Sequence, residues 1–148
     1  PYFNSSESPS KSKASVAGSG RRSNQVCSRS INSGCVHGCD FCVAGHTAIA
    51  LKKAGLERDL VRALQERAST GNARFDALVA FTRAVILTRG KVAKGELADF
   101  VAAGFTEQHV LEVILGVSLA TLCNFANNLA GTDINPQLKA FAPGALES

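Results

Sequence analysis

Three cysteines and two histidines lie close together between Cys35 and His46. Thiols at this density usually bind a metal ion, hold an iron–sulfur cluster or form a redox-active disulfide. Cys39 and Cys42 form a C-x-x-C pair, and His46 follows Cys42 by four residues. The chain has five cysteines, an odd number that does not make a complete disulfide framework. The cluster is therefore more typical of a metal or redox site in a reducing compartment.

An iron–sulfur cluster is the first possibility. The spacing Cys35-x3-Cys39-x2-Cys42 is that of radical S-adenosylmethionine enzymes, in which three thiolates bind a [4Fe–4S] cluster and leave one iron free. Those enzymes surround their cofactor with an α/β barrel. A chain of 148 residues without alternating strands and helices does not provide one.

Zinc is the second possibility, because Cys35, Cys39, Cys42 and His46 would supply four ligands. Three of these four, however, fall at positions i, i+3 and i+7 of one predicted helix. Structural zinc sites usually draw their ligands from two elements, and no second ligand pair follows in the sequence. Cys123 stands alone, far along the chain. We therefore predict neither a metal nor another cofactor.

A redox pair is the third possibility. Cys39 and Cys42 open a predicted helix, where unsatisfied backbone N–H groups and the helix dipole favour a thiolate. His46 lies one turn beyond Cys42 on the same helix face. A thiol beside an imidazole is the arrangement that generates and protonates a nucleophile. The predicted catalytic residues are Cys42, Cys39 and His46.

The elements that position these residues are predicted to be helices throughout. Hydrophobic periodicity and stop signals indicate helices over residues 41–54, 57–68, 74–88, 94–103 and 107–129. Gly55, Gly90 and Gly131 follow helix ends, and Thr106 is placed as an N-cap. No strand alternation is present. The predicted fold class is all-α.

Residues 1–34 differ from the remainder. Eleven of them are serine, and neither a strand nor a helix period appears. We predict an irregular or disordered lead over 1–34 and a folded domain over 35–148. The lead carries five basic residues against one acidic residue, whereas the rest of the chain is balanced. A solvated basic tail explains the net charge of +4, so no nucleic-acid partner is predicted.

The last predicted helix is apolar on almost all sides, which is typical of a helix buried on several faces. In so small a domain, a subunit interface would provide the extra cover. No uninterrupted apolar run approaches the roughly 20 residues that span a bilayer, so no membrane partner is predicted. No secretory signal pattern is visible, which favours a cytoplasmic location.

The segment CDFCVAGHTAIALKKAGL, from Cys39 to Leu56, resembles the core motif of the alkylhydroperoxidase D (AhpD-like) and carboxymuconolactone decarboxylase family. The sequence from Phe81 to Thr132 is similar to the family's second half. The resemblance implies an all-helical, AhpD-like subunit that assembles into homo-trimers or hexamers. The cysteine pair implies thiol-dependent peroxidase activity, since the decarboxylase branch lacks it.

By position, the resemblance makes Cys42 the peroxide-attacking cysteine, Cys39 the resolving cysteine and His46 the proton-relay histidine. The family usually has a glutamate twelve residues before the first cysteine, where this sequence has Cys27. Phe41 replaces a histidine often found inside the pair. The expected function is an alkyl hydroperoxidase that is reduced by a lipoyl-bearing or thioredoxin-like dithiol. The alternatives are a non-catalytic or redox-sensing protein of the same fold and, third, a lactone decarboxylase.

Overall fold

The computed structural model describes residues 17–146, with side chains described from residue 23 onward. These residues form six α-helices and a short 3₁₀ helix, Pro136–Phe141. The α-helices are α1 (Ala17–His37), α2 (Asp40–Lys52), α3 (Arg58–Glu66), α4 (Ala73–Thr88), α5 (Lys94–Ala102) and α6 (Glu107–Ala130). No strand occurs within residues 17–146. The predicted all-α class is confirmed.

Local end signals account for the helices from α2 to α6. Thr106 is the N-cap of α6, and its backbone N–H donates a hydrogen bond to His109 Nδ1 at 3.1 Å. Gly131 ends α6 with a φ of 61°, the left-handed conformation that glycine adopts without a steric penalty. Asn72, one residue before α4, accepts hydrogen bonds from the N–H groups of Arg74 and Phe75. The predicted helix bounds lie within about two residues of the observed ones, the usual variation at frayed helix ends.

The prediction of an irregular lead is wrong for residues 17–34, which form most of α1. The remainder of that segment, residues 1–16, lies outside the described residues. Polar side chains face inward from α1, including Ser28, Asn32 and Ser33, each no more than 1% exposed. Ser28 Oγ donates to Asn24 O, and Asn32 Nδ2 donates to Val79 O on α4. Because several inward positions are serine or asparagine, the apolar period that marks a helix is broken.

Helix α1 occupies the centre of the molecule and packs against α2, α3, α4 and α6. Two apolar clusters lie around it. The first joins α1 to α2 and α3 through Ile31, Ala50 and Leu64. The second contains a stack of phenylalanines, in which the ring centroids of Phe81 and Phe100 are 4.2 Å apart. Helix α1 thus packs as part of the domain that was predicted over residues 35–148. Its contacts with α2 in the first apolar cluster position α2.

Helix α6 buries only part of its apolar surface. Val113 is fully buried in the second cluster, whereas other large apolar side chains are exposed: Leu111, Ile114, Leu115, Leu119, Leu122, Phe125 and Leu129. Within the described residues, α6 is also the one helix long and apolar enough to cross a membrane by length and composition. The expectation from the sequence concerned uninterrupted apolar runs, whereas this measure averages hydropathy over a window, and the polar residues of α6 do not lower that average enough. Core helices of water-soluble proteins meet the same measure.

Candidate redox-active site

The tight turn between α1 and α2 places the first cysteine. Gly38 has a φ of 65°, a conformation that favours glycine, and it reverses the chain between the two helices. The Cys39 backbone N–H then donates to Gly34 O at 2.9 Å. A Cβ on Gly34 would lie 2.8 Å from Val43 Cγ2, so the close approach of α1 and α2 requires a residue without a side chain. The two glycines therefore fix the start of α2 against α1.

The C-x-x-C pair lies at the start of α2, as predicted. Cys39 is the N-cap residue and Cys42 is in the first helical turn. Both are buried, with 2% of Cys39 and 7% of Cys42 exposed. Both are free thiols, and the Cys42 S–H group is hydrogen-bonded to Cys39. The two sulfurs are thus neighbours in the reduced state.

The surroundings of Cys42 hold it as a neutral thiol. Burial, followed by the hydrogen bond and the charge of Cys39, raises the pKa of Cys42 to about 12. A hydrogen bond from Asn127 acts in the opposite direction. The helix start was expected to favour a thiolate, but desolvation outweighs that effect here. Reaction of Cys42 at neutral pH therefore requires a base.

His46 is the imidazole that follows Cys42 on α2. It lies four residues after Cys42 on α2, so both side chains project from the same helix face. Burial lowers the pKa of His46 below its usual 6.5, which leaves the ring neutral and able to accept a proton at pH 7. No hydrogen bond joins His46 and Cys42 in the part of the chain described, and a proton could pass after a small rotamer change or through one water.

Helix α6 contributes two residues that the sequence analysis did not place at the site. Asn127 Nδ2 donates to Cys42 Sγ at 3.5 Å and to the backbone oxygen of Cys123 at 2.9 Å. Cys123 is exposed, and its charge when ionised contributes to the raised pKa of Cys42. In sequence these residues are more than 80 positions from Cys42, and no local pattern links them. Cys123, isolated in the sequence, is thus close to the pair in space.

Cys35 does not join the other two cysteines of the cluster. Its S–H group donates to Gln65 O on α3 at 3.5 Å, and burial raises the pKa of Cys35 to about 11. Within residues 17–146, no group of three or more His, Cys, Asp or Glu side chains is arranged to hold a metal ion. The four potential zinc ligands are therefore divided, with Cys35 facing α3.

Cys27 stands where the resemblance led us to expect a relay glutamate, and it is 3% exposed. Cys27 packs with Ile31 and Leu64 in the first apolar cluster, and burial raises its pKa. No carboxylate contributes to the pKa shifts of Cys42 or His46. Among the described residues, no carboxylate of the kind that the resemblance led us to expect thus acts on these two side chains.

An open cavity of about 350 Å³ lies beside the start of α2. The residues that line it come from the turn between α1 and α2, the start of α2 and the end of α6: Gly38, Cys39, Asp40, Phe41, Asn127, Asn128, Gly131 and Thr132. A larger groove of about 530 Å³ lies between α4 and α6 and is lined in part by His37. Of these two, the 350 Å³ cavity is the one lined by a member of the pair, Cys39.

No model of a known protein family matches the chain, and a search of curated proteins finds no match.

Proposed function

We propose that the protein is a thiol-dependent alkyl hydroperoxidase, an antioxidant enzyme that uses Cys42, Cys39 and His46. The observation that carries the proposal is the buried thiol pair at the start of α2, beside an open cavity. Two neighbouring free thiols can take up two electron equivalents of oxidation and store them as a disulfide. The neutral imidazole one turn away supplies the base that Cys42 requires.

The reaction begins when His46 takes the proton of Cys42. The Cys42 thiolate attacks one oxygen of the hydroperoxide, the O–O bond breaks, and the alkoxide leaves with the proton held by His46 as an alcohol. Cys42 is thereby oxidised to a sulfenic acid. Cys39 then attacks the Cys42 sulfur, a disulfide forms and water is released.

A dithiol completes the cycle by thiol–disulfide exchange, in which it becomes oxidised and Cys39 and Cys42 regain their protons. A lipoyl group or a thioredoxin-like protein is the proposed reductant, and the cytoplasm is the proposed location because its reducing conditions maintain such dithiols. The cavity beside Cys39 gives a slender group such as a lipoyl arm a route to the disulfide.

The proposal is tested by following hydroperoxide consumption with dihydrolipoamide or dithiothreitol as the electron source. We expect catalytic turnover that stops when the dithiol is exhausted, because each peroxide reduced consumes one dithiol. A protein that consumes no hydroperoxide beyond the uncatalysed rate, although its cysteines are reduced, would contradict the proposal.

A redox-sensing protein without turnover is the second candidate. The raised pKa of Cys42 and the presence of Cys27 where the resembled family has a glutamate weigh against rapid turnover, because both slow the ionisation of the thiol. A sensor would be oxidised once by peroxide and would then be reduced slowly by the same dithiols. The turnover assay separates the two candidates, and a lactone decarboxylase would show neither behaviour.

We also propose that the active protein is a homo-oligomer, a trimer or hexamer, formed through α6. The exposed apolar residues of α6 recur every three or four positions, so they form a stripe along the helix. Leu115 and Leu119 are 61% and 58% exposed in the single chain, and together with Val26 on α1 they line one apolar groove. Contact with a second copy would remove this surface from water.

Leu119→Glu should dissociate the oligomer, because a carboxylate at a buried interface loses its hydration without gaining a partner. Leu87→Glu is the matched control, since Leu87 is 61% exposed but lies on α4. The measurement is sedimentation at micromolar concentration. Val117 is less suitable for substitution because it packs against the second apolar cluster, where a charge would test folding. A wild type that is monomeric would contradict the proposal.

A further inference from the structure

We propose that Asn127 is a further catalytic residue of this site: its amide holds the Cys42 sulfur and stabilises that sulfur as it becomes an anion. Asn127 Nδ2 lies 3.5 Å from Cys42 Sγ, and a sulfur at this distance accepts an N–H hydrogen bond. The residue comes from α6, at the opposite end of the chain from α2, and it also lines the cavity beside Cys39. Its role in turnover rests on the proposed function.

The orientation of the Asn127 amide is fixed by a second contact. The same nitrogen donates to the backbone oxygen of Cys123 at 2.9 Å. A carbonyl oxygen can only accept, so the amide nitrogen and not the amide oxygen must face it. The nitrogen has two hydrogens, and the second is therefore directed to Cys42. The hydrogen bond to the α6 backbone thus orients the Asn127 amide so that its second N–H is directed at Cys42 Sγ.

The Asn127 N–H matters because the other surroundings of Cys42 oppose the ionisation of its thiol. Burial and the neighbouring Cys39 oppose the ionisation of Cys42, and the hydrogen bond from Asn127 is the side-chain contact that favours it. Cys27, which stands where the resembled family has a glutamate, is a buried thiol and supplies no carboxylate. A hydrogen bond to an ionised acceptor is stronger than one to a neutral group, so the donor stabilises the thiolate more than the thiol.

The experiment measures the reactivity of the reduced Cys42 thiol toward iodoacetamide in the full chain, across pH, with each cysteine followed separately by peptide mass spectrometry. In Asn127→Leu we expect the alkylation rate of Cys42 at mildly alkaline pH to fall about tenfold, since alkylation follows the thiolate fraction. Asn127→Asp should be slower still, because a carboxylate repels the thiolate. Asn127→Gln, which keeps the amide donor, should recover part of the rate.

Gln108→Leu is the matched control. Gln108 is on the same helix, is exposed and donates its side-chain amide to Glu112 Oε1 at 3.2 Å, so its loss should leave Cys42 alkylation unchanged. Folding is followed by far-UV circular dichroism, and Asn127→Asp, nearly the same shape as the original, provides the test if the leucine variant does not fold. Wild-type alkylation of Cys42 in a folded Asn127→Asp protein would overturn the inference. Because no peroxide is used, slowed alkylation supports the Asn127 contact even in a protein that shows no peroxidase turnover.

Discussion

A Cys42→Ser protein should consume no hydroperoxide, even in a single turnover without a reductant. Serine cannot be oxidised to a sulfenic acid, and Cys39 is two helical turns from His46, too far for direct help from the imidazole. Cys39→Ser, in contrast, should consume about one equivalent of peroxide and then stop, because the Cys42 sulfenic acid has lost its resolving thiol. Dimedone labelling followed by peptide mass spectrometry locates the sulfenic acid.

The outcome of the labelling experiment also decides between the two cysteines. The cavity is lined by Cys39, and the Cys42 S–H group is hydrogen-bonded to Cys39. These features favour Cys39 as the first thiol to meet the peroxide, whereas the position of His46 favours Cys42. Sulfenic acid on Cys39 in the Cys42→Ser protein, with none on Cys42 in the reverse variant, would reverse the assignment. Cys123→Ser serves as the control for oxidation of the exposed third thiol.

The predictable part of the fold is the part with local signals. Helices α2 to α6 follow apolar periodicity, and glycine or capping residues end or begin them, as with Thr106 and Gly131 at α6. Helix α1 has no such signal. Its inward positions carry Ser28 and Ser33, which packing against neighbouring helices buries completely. Tertiary contacts stabilise α1 in spite of its weak helix propensity.

In the candidate site, too, local spacing predicts some residues, whereas tertiary packing brings in others. Cys39, Cys42 and His46 lie within eight residues of one another, so helix spacing alone predicts that they open one helix and that Cys42 and His46 share a face. Asn127 reaches Cys42 from α6, and only the packing of α6 across α1 and α2 brings them together. The predicted ease of ionisation of Cys42 was wrong because the sequence does not give the depth of burial.

His46→Ala should slow the reaction of the enzyme with peroxide by roughly 10²–10⁴ at neutral pH, the usual contribution of a general acid–base group. The reason is the raised pKa of Cys42, which leaves almost no thiolate unless a neighbouring base takes the proton. The variant should still consume about one equivalent of peroxide in the first turnover, only slowly. Stopped-flow measurement of that single turnover gives the rate without interference from the reductant.

The pH dependence distinguishes a base from a residue that merely shapes the site. Burial lowers the pKa of His46, so the imidazole remains neutral below pH 6.5 and the wild-type rate should persist into mildly acidic solution. The rate then falls as the pH drops through the lowered pKa and the ring becomes protonated. In His46→Ala the rate should instead rise about tenfold per pH unit, because hydroxide must remove the Cys42 proton. His37→Ala is the control, since His37 is hydrogen-bonded to Thr121 Oγ1 at 3.1 Å and lies off α2. If His46→Ala kept the wild-type pH profile, His46 would not be the base.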